Sequence, residues 1–262
     1  SNVNSDELLQ NRVIESCGGD TKTLVSSGKP ILNTMVKIVD PQHKTVCLSN
    51  TVGEIWVKGP QVTKGYWKKP DETEEMFHAY LKDGLEGPYL RTGDLGFLNK
   101  NNELFITSRL KDLIIFHGKN YAPQDIERCV ESAHVSLVVN ASACFTILNE
   151  KDDECLVVVA ELNRHSLRNK IYTDVFEKIQ QVLYTQFCFR AHEIVLIRTN
   201  SIPKTSSGKI QRQKCKGFFM NKELIVVSSF LKNVSFLYGA YDTNFEKNMT
   251  ETERLLSSII KD

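Results

Sequence analysis

The apolar residues of this chain come in short runs separated by turn residues, and this spacing limits the folds open to it. The longest such run, 155-CLVVVAEL-162, is far shorter than the roughly 20 residues that a membrane helix needs. Runs of this length are typical of strands and helices packed in a globular core. We therefore expect no segment that spans a membrane.

Residues 24 to 107 alternate short apolar runs with turn residues, which predicts a small β-rich unit. The predicted strands are 35-MVKIVD-40, 53-GEIWVKG-59 and 103-ELFIT-107. Residues 1 to 22 are polar and show little periodicity.

The pattern becomes mixed after residue 107, beginning with a hairpin predicted in 112-DLIIFHGKNYA-122 around His117 and Gly118. Pro123 is well placed to begin a helix, and a second helix is predicted over about 172 to 187. Further strands are predicted at 135–147, 155–162 and 193–197. The order β-β-α-β-β-α-β predicts a compact α+β domain of about a hundred residues.

Charge and cysteine usage exclude other classes of protein. Lys+Arg 33 against Asp+Glu 32 gives a formal net charge of +1, which argues against a nucleic-acid binder. The seven cysteines are scattered without CxxC spacing and are interpreted as reduced core thiols. Together with the six histidines they show no zinc-site spacing, so we expect no metal ligands and a cytoplasmic location.

Three stretches carry residues suited to chemistry. In 200-NSIPKTSSGKIQRQK-214, small residues present Lys209 after Gly208, which suits delivery of a cation to a phosphate, although a solvated basic loop has the same composition. In 89-YLRTGDLGFL-98, Asp94 is predicted to lie in a turn, where it binds either a ribose diol or its own backbone.

The third stretch is 106-ITSRLKDLI-114, where Arg109, Lys111 and Asp112 follow the end of a predicted strand. Charged residues at such a junction form either a hinge or a solvated linker. The Arg109 guanidinium is also a fork donor that suits phosphate or ribose.

In this order and spacing, four motifs resemble those of the C-terminal part of the adenylate-forming superfamily. They are 53-GEIWVKGPQVTKGYW-67, 91-RTGDLG-96, 109-RLKDLI-114 and 203-PKTSSGKIQR-212. The run 112-DLIIFHGKNYAPQDIE-127 is most similar to fatty acyl-AMP ligases. One departure is Ser108, where the family usually has Gly, and it is expected to stiffen the hinge slightly.

The resemblance implies a role for each matching residue. Asp94 would hold the ribose hydroxyls of ATP, and Arg109 would contact ribose or phosphate. Lys111, with Asp112, would form the hinge about which the C-terminal domain swings. Lys209 would enter the site during adenylation and neutralise charge as the fatty carboxylate attacks the α-phosphorus. The aromatic side chains of Trp56, Tyr66 and Trp67 are assigned to packing.

The resemblance also implies a domain plan. Residues 1–108 would be a distorted, barrel-like β-rich remnant of the N-terminal domain, 109–112 the hinge and 113–216 the mobile C-terminal lid. Residues 217–262 would be an extension towards a carrier domain, since 250-TETERLLSSIIKD-262 is similar to the start of such a domain. The phosphate loop, acyl pocket and Mg²⁺-binding Glu of the family lie upstream, so the chain is expected to fold without adenylating alone.

The implied reaction joins a fatty acid to ATP, giving acyl-AMP and pyrophosphate, with an acyl carrier protein as acceptor. The cluster Lys204, Lys209, Arg212, Lys214 and Lys216 would help to dock that acidic partner, or would be a solvated face. Two alternatives stay open: part of an acyl-CoA ligase, and a non-catalytic docking module.

Overall fold

The structure, a computed structural model, describes residues 1–31, 33–116, 118–149, 151–168 and 171–231. The chain divides into two compact units, Ser1–Ile126 and the residues from Glu127 onward. The predicted hinge at 109–112 lies within the first unit, and its position stays a prediction. The predicted helical turns at 250–262 and His117 of the predicted hairpin lie outside the described residues.

The first unit is built mainly from short strands. Its elements are β1 (Asn2–Asn4), α1 (Ser5–Leu8), β2 (Thr21–Thr23), β3 (Met35–Val39), β4 (Gly53–Lys58), α2 (Pro70–Phe77), β5 (Leu90–Leu98), β6 (Leu104–Arg109), a 3₁₀ turn (Leu110–Asp112), β7 (Ile114–Phe116) and β8 (Lys119–Tyr121). Strands β3-β4-β5-β6 form an antiparallel sheet in that order, while β1-β2 and β7-β8 are separate two-stranded pairs. The predicted β-rich unit and the hairpin are thus confirmed.

This four-stranded sheet is open, because β3 and β6 are its two end strands, so the described strands form no closed barrel. Apolar side chains from β5 and β6 meet on one face, where the Phe97 and Phe105 rings stack with centroids 5.0 Å apart. Leu95 and Val52 belong to the same buried cluster. The barrel-like part of the prediction is corrected to an open sheet, and a second buried cluster of the unit contains Val39, Trp56 and Tyr89.

The boundary between the units falls within α3 (Pro123–Ala133), which begins at the predicted Pro123. The second unit then contains β9 (Leu137–Leu148), β10 (Glu154–Leu162), a 3₁₀ turn (Ser166–Arg168), α4 (Thr173–Phe187), β11 (Glu193–Ile197), α5 (Arg212–Met220) and β12 (Val226–Leu231). The predicted order through β11 is confirmed, whereas α5 and β12 were not predicted.

The sheet of the second unit has the order β12-β11-β10-β9. Its central strands β10 and β11 are parallel and are joined through α4, while both outer pairings are antiparallel. Helix α4, which the sequence predicts over about 172 to 187, buries one face through Val175, Ile179 and Leu183. The fold is therefore α+β, as the element order predicts.

None of the seven cysteines, all of which lie among the described residues, forms a disulfide. Cys144, Cys155 and Cys215 are buried in the second unit, but Cys17 and Cys188 are exposed. The interpretation of the cysteines as core thiols is therefore wrong for these two, which lie in turns at the surface. No helix within the described ranges is long and apolar enough to cross a membrane.

Candidate active site

Asp94 and Arg109 lie opposite each other on the adjacent strands β5 and β6. The Arg109 Nε donates to Asp94 Oδ1 at 2.8 Å, while 62% of the Arg109 side chain and 30% of the Asp94 side chain stay exposed. The hydrogen bond and the charge of the carboxylate raise the pKa of Arg109, because both stabilise the charged guanidinium. The pair presents an accessible carboxylate beside a fixed cation.

A β-bulge sets the direction of the Asp94 side chain. The register between β4 and β5 shifts between Glu54 and Trp56, and opposite this shift Gly93 adopts a φ of +71°. The Thr92 hydroxyl accepts from the Asp94 backbone N–H at 3.1 Å and donates to a β4 carbonyl at 2.7 Å. Bulges commonly re-aim a side chain next to a functional site.

The predicted location of Asp94 in a turn is corrected by this geometry. Leu90–Leu98 is one strand, and Gly93 lies within it rather than between two elements. Glycine is favoured in turns and in bulges for the same reason, since both need a positive φ that glycine adopts without a Cβ penalty. The sequence signal was real, but it marked a bulge.

The predicted hinge residues Lys111 and Asp112 form the 3₁₀ turn that follows β6. Leu110 and Leu113 on either side pack against the buried cluster of the first unit, whereas the Lys111 side chain is exposed. The negative charge of Asp112 also contributes to raising the pKa of Arg109. The turn is thus held by its leucines and carries its charges outside the core.

Ser108 directly precedes this segment and is 7% exposed. It pairs with Leu95 of β5 within the ladder of β6. Ser108 thus lies in the strand that precedes the predicted hinge, and its expected stiffening of that hinge stays a prediction.

Lys209 lies in a small hydrogen-bonded hairpin, the Lys209 loop, defined as Lys204–Ile210 with an antiparallel bridge between these end residues. The backbone N–H of Thr205 donates to the Lys209 carbonyl at 2.8 Å, and its hydroxyl accepts from the Lys209 N–H at 3.0 Å. Gly208 has a φ of +81°, which closes the turn. The backbone is thus fixed while the Lys209 side chain is exposed and has no ion-pair partner among the described residues.

The predicted basic cluster includes one residue that does not belong to it. Arg212 is paired with Glu127 through its Nε and a terminal nitrogen, at 2.7 Å each, and 12% of its side chain is exposed. Lys204, Lys209 and Lys214 remain exposed. The assignment of Arg212 is therefore corrected from the basic cluster to a structural ion pair, since its guanidinium binds the Glu127 carboxylate within the second unit.

The three aromatic side chains assigned to packing differ in how exposed they are in the structure. Trp56 is fully buried, and its Nε1 donates to Glu54 at 3.0 Å, so its packing role is confirmed. Trp67 is 86% exposed, so that assignment is wrong for it. Tyr66 is half-exposed and contacts the Phe77 ring edge-on at 5.1 Å.

Sequence reasoning missed two buried carboxylates that contact the segments flanking the Lys209 loop. Glu161 accepts from backbone N–H groups that precede the loop, and Glu127 accepts from Arg212, which follows it. The available signal for Glu161 was an acid within the apolar run 155–162, because buried acids are rare unless they are paired.

Known proteins resemble this chain over most of its length. Residues 13–67 match the family model described as AMP-binding enzyme, and residues 111–229 match the Disco-interacting protein 2-like AMP domain. The chain is 41% identical over 224 residues to the medium-chain-fatty-acid–[acyl-carrier-protein] ligase JamA of Moorena producens, covering 84% of this chain and 38% of JamA.

A second relative is the long-chain-fatty-acid–AMP ligase FadD23 of Mycobacterium tuberculosis, at 37% identity over 223 residues, covering 83% of this chain and 37% of FadD23. Among solved structures, one from structural and functional studies of fatty acyl-adenylate ligases of E. coli and L. pneumophila superposes with a TM-score of 0.67 at 26% identity. It covers 85% of this chain and 37% of that protein.

The chain belongs to the adenylate-forming superfamily. Within it, the relatives named above are fatty acid ligases, and the chain spans less than two-fifths of their length.

Proposed function

We propose that this chain forms the C-terminal part of a fatty acyl-AMP ligase, which converts a fatty acid and ATP into acyl-AMP and pyrophosphate. The observation that carries the proposal is the exposed Asp94–Arg109 pair held at the Gly93 bulge. The names of JamA and FadD23, both fatty acid ligases, support the substrate class.

Asp94 and Arg109 would bind the nucleotide. Asp94 Oδ1 accepts from Arg109, while Oδ2 has no hydrogen-bond partner within the described part of the chain. A carboxylate has about four acceptor positions, so Oδ2 can accept from the two vicinal hydroxyls of a ribose. Arg109 orients that carboxylate and places a positive charge near the ribose and the phosphates.

Lys209 would act on the reacting phosphates. A fatty acid carboxylate oxygen forms a bond to the α-phosphorus, and the bond from that phosphorus to the oxygen bridging the β-phosphate breaks, releasing pyrophosphate. Negative charge shifts onto the leaving pyrophosphate, and the Lys209 ammonium would stabilise it. Lys209 acts by charge and position and forms no covalent bond to the substrate.

Residues 109–112 would serve as the hinge, with Lys111 and Asp112 as the positions that absorb the backbone change. Residues 1–108 would then be the end of the N-terminal adenylation domain, 113–216 the mobile lid and 217–262 the extension. The exposed Lys111, between leucines that pack in the core, supports a turn that can alter its charged side without unpacking the apolar one.

ATP is the proposed cosubstrate, and the accessible carboxylate and guanidinium of the Asp94–Arg109 pair fit a ribose and a phosphate. Mg²⁺ would accompany ATP and neutralise phosphate charge when it is bound. Among the described residues there is no group of three His, Cys, Asp or Glu side chains that could hold a metal ion. We propose that the Mg²⁺-binding Glu comes from a segment outside this sequence.

The proposed acyl acceptor is an acyl carrier protein, as the name of JamA says of that relative. The exposed Lys204 and Lys214 would favour an acidic carrier surface. Coenzyme A is the alternative acceptor. A cytoplasmic location is proposed as well, because free thiols are typical of reducing compartments.

The experiment uses the complete polypeptide that contains this sequence, with Mg²⁺, ATP and a panel of fatty acids. Acyl-AMP that accumulates with or without coenzyme A supports the acyl-AMP ligase, whereas conversion to acyl-CoA supports the alternative acceptor. Lys209→Ala should lower acyl-AMP formation by about 100-fold or more. Lys178→Ala, an exposed lysine on α4, is the matched control and should not lower it. Equal rates for both variants would remove the role of Lys209, and no acyl-AMP from any fatty acid would favour a non-catalytic docking module.

A further inference from the structure

The Lys209 loop is held by buried carboxylates on both sides. Before the loop, Glu161 on β10 is 1% exposed, and its oxygens accept from the backbone N–H groups of Asn200 at 2.9 Å and of Ser201 and Ile202 at 2.8 Å each. These donors belong to three consecutive residues. One carboxylate thus fixes the direction in which the chain approaches the loop.

The chain next to these donors is anchored by packing. Ile202 is 6% exposed and belongs to the buried cluster on the β9–β10–β11 sheet. Its side chain and its backbone N–H are therefore both fixed, the first by apolar contacts and the second by Glu161. The loop begins two residues further on, at Lys204.

After the loop, the chain is fixed by a bidentate ion pair. Arg212 is the first residue of α5, and it donates twice to Glu127 of α3, which is 5% exposed. Glu127 Oε1 also accepts from the Cys144 backbone N–H at 3.1 Å, so this carboxylate joins three elements. Between the anchors, the Gln211 N–H donates to the Pro203 carbonyl at 2.9 Å and closes the base of the loop.

This arrangement is more than the fold requires. A buried ion pair gains little net stability over apolar residues of the same volume, and a buried acid is costly to desolvate. Positioning does need such groups, because a displacement of about 1 Å in a reacting geometry can cost about 100-fold in rate. The anchors also restrict the loop while leaving the Lys209 side chain exposed.

We propose that Glu161 and the Glu127–Arg212 pair are positioning residues that hold the Lys209 loop in the geometry needed for adenylation. This inference rests on the proposed function. Neither carboxylate touches the substrate in this scheme. Glu161 acts through backbone N–H groups before the loop, and Glu127 acts through the Arg212 side chain after it.

The test is a double-mutant cycle between Glu161→Gln and Lys209→Ala in the complete polypeptide, measured as acyl-AMP formation. The glutamine keeps the shape but replaces one acceptor oxygen by a donor facing backbone N–H groups. Glu161→Gln alone should lower the rate by about 10- to 100-fold. In the Lys209→Ala background it should lower the rate no further, because residues that act as one unit are not additive.

Glu154→Gln is the matched control, because Glu154 lies on the same strand and is exposed. Glu154→Gln should leave the rate of acyl-AMP formation unchanged both in the wild-type background and in the Lys209→Ala background. Arg212→Lys provides a second cycle if Glu161→Gln does not fold, since it keeps the charge but loses the bidentate fork. It should show the same non-additivity with a smaller drop.

Two results would overturn the positioning role. One is an unchanged rate in folded Glu161→Gln and Arg212→Lys. The other is an effect of the same size in the presence and absence of Lys209, which would indicate a general structural role. Failure of the proposed function gives a different result, which is visible without any substitution of Glu161 or Arg212. In that case the wild-type polypeptide makes no acyl-AMP, or Lys209→Ala makes it at the wild-type rate.

Discussion

The bulge at Gly93 allows a direct test of how the fold orients Asp94. Gly93 has a φ of +71°, and a Cβ added there would meet nothing within 4 Å. Gly93→Ala is therefore strained only through its backbone, and a left-handed conformation costs an alanine roughly 1–2 kcal/mol. Two responses are available: the bulge persists with the strain, or the strand rearranges and Asp94 turns away.

The size of the expected loss in ATP affinity follows from the hydrogen bonds between the ribose hydroxyls and Asp94. Hydrogen bonds from ribose hydroxyls to a charged carboxylate contribute roughly 1.5–3 kcal/mol, and losing them weakens nucleotide binding about 10- to 150-fold. Since the strain has about the same magnitude as the binding contribution, we expect the strand to relax in part. Gly93→Ala should lose stability and also ATP affinity.

Gly84→Ala is the matched control. Gly84 is exposed in a loop, has a φ of +68°, and also has nothing within 4 Å of an added Cβ. It should lose about the same 1–2 kcal/mol of stability as Gly93→Ala while keeping its ATP affinity. The measurements are denaturant unfolding and calorimetric ATP titration of the complete polypeptide. If both variants lose stability and both keep ATP affinity, the bulge does not orient a ribose ligand.

Three further outcomes are expected. Burial raises the pKa of the Cys215 thiol to about 12, so this thiol stays protonated at pH 8. Mass spectrometry after brief iodoacetamide treatment should therefore find label first on the exposed Cys17 and Cys188. Early labelling of Cys215 would contradict its burial. Arg212→Met removes the ion-pair partner of the buried Glu127, which should cost about 3–5 kcal/mol in denaturant unfolding. A loss no larger than that of an exposed ion pair, about 1 kcal/mol, would contradict the pairing. The isolated 262-residue chain should unfold cooperatively in the calorimeter yet form no acyl-AMP, and a rate near that of the complete polypeptide would refute the assignment of missing parts to other segments.

Elements with strong periodicity were predictable from the sequence. The helix that begins at Pro123 and the helix Thr173–Phe187 have apolar residues at helical spacing, and the strands of the second sheet are apolar runs. Helix α5 was missed because RQKCKGFFM has no capping side chain and contains Gly217. Strands β1 and β2 are three residues long and mostly polar, so their pairing leaves little local signal.

The candidate site was predictable in its residues but not in its geometry. Asp94 and Arg109 were singled out separately, and their pairing depends on the register of β5 with β6. The contact between Arg212 and Glu127 joins residues 85 positions apart, which no local pattern encodes. The motif residues carry the chemistry, whereas their support comes from long-range contacts that form only when the sheet is complete.

The parallel pairing of β10 with β11 has a consequence for the order of folding. Strands β9 and β10 are antiparallel neighbours joined by a short turn, so they can pair within microseconds. The β10–β11 pair must wait for the α4 crossover, because contacts distant in sequence require a larger loop to close first. Glu161 on β10 can reach Asn200–Ile202 only after β11 has docked. We therefore expect the Lys209 loop to become ordered late in folding. In hydrogen exchange, the free energy of opening should be lower for the amides of the loop than for those of β9 and β10.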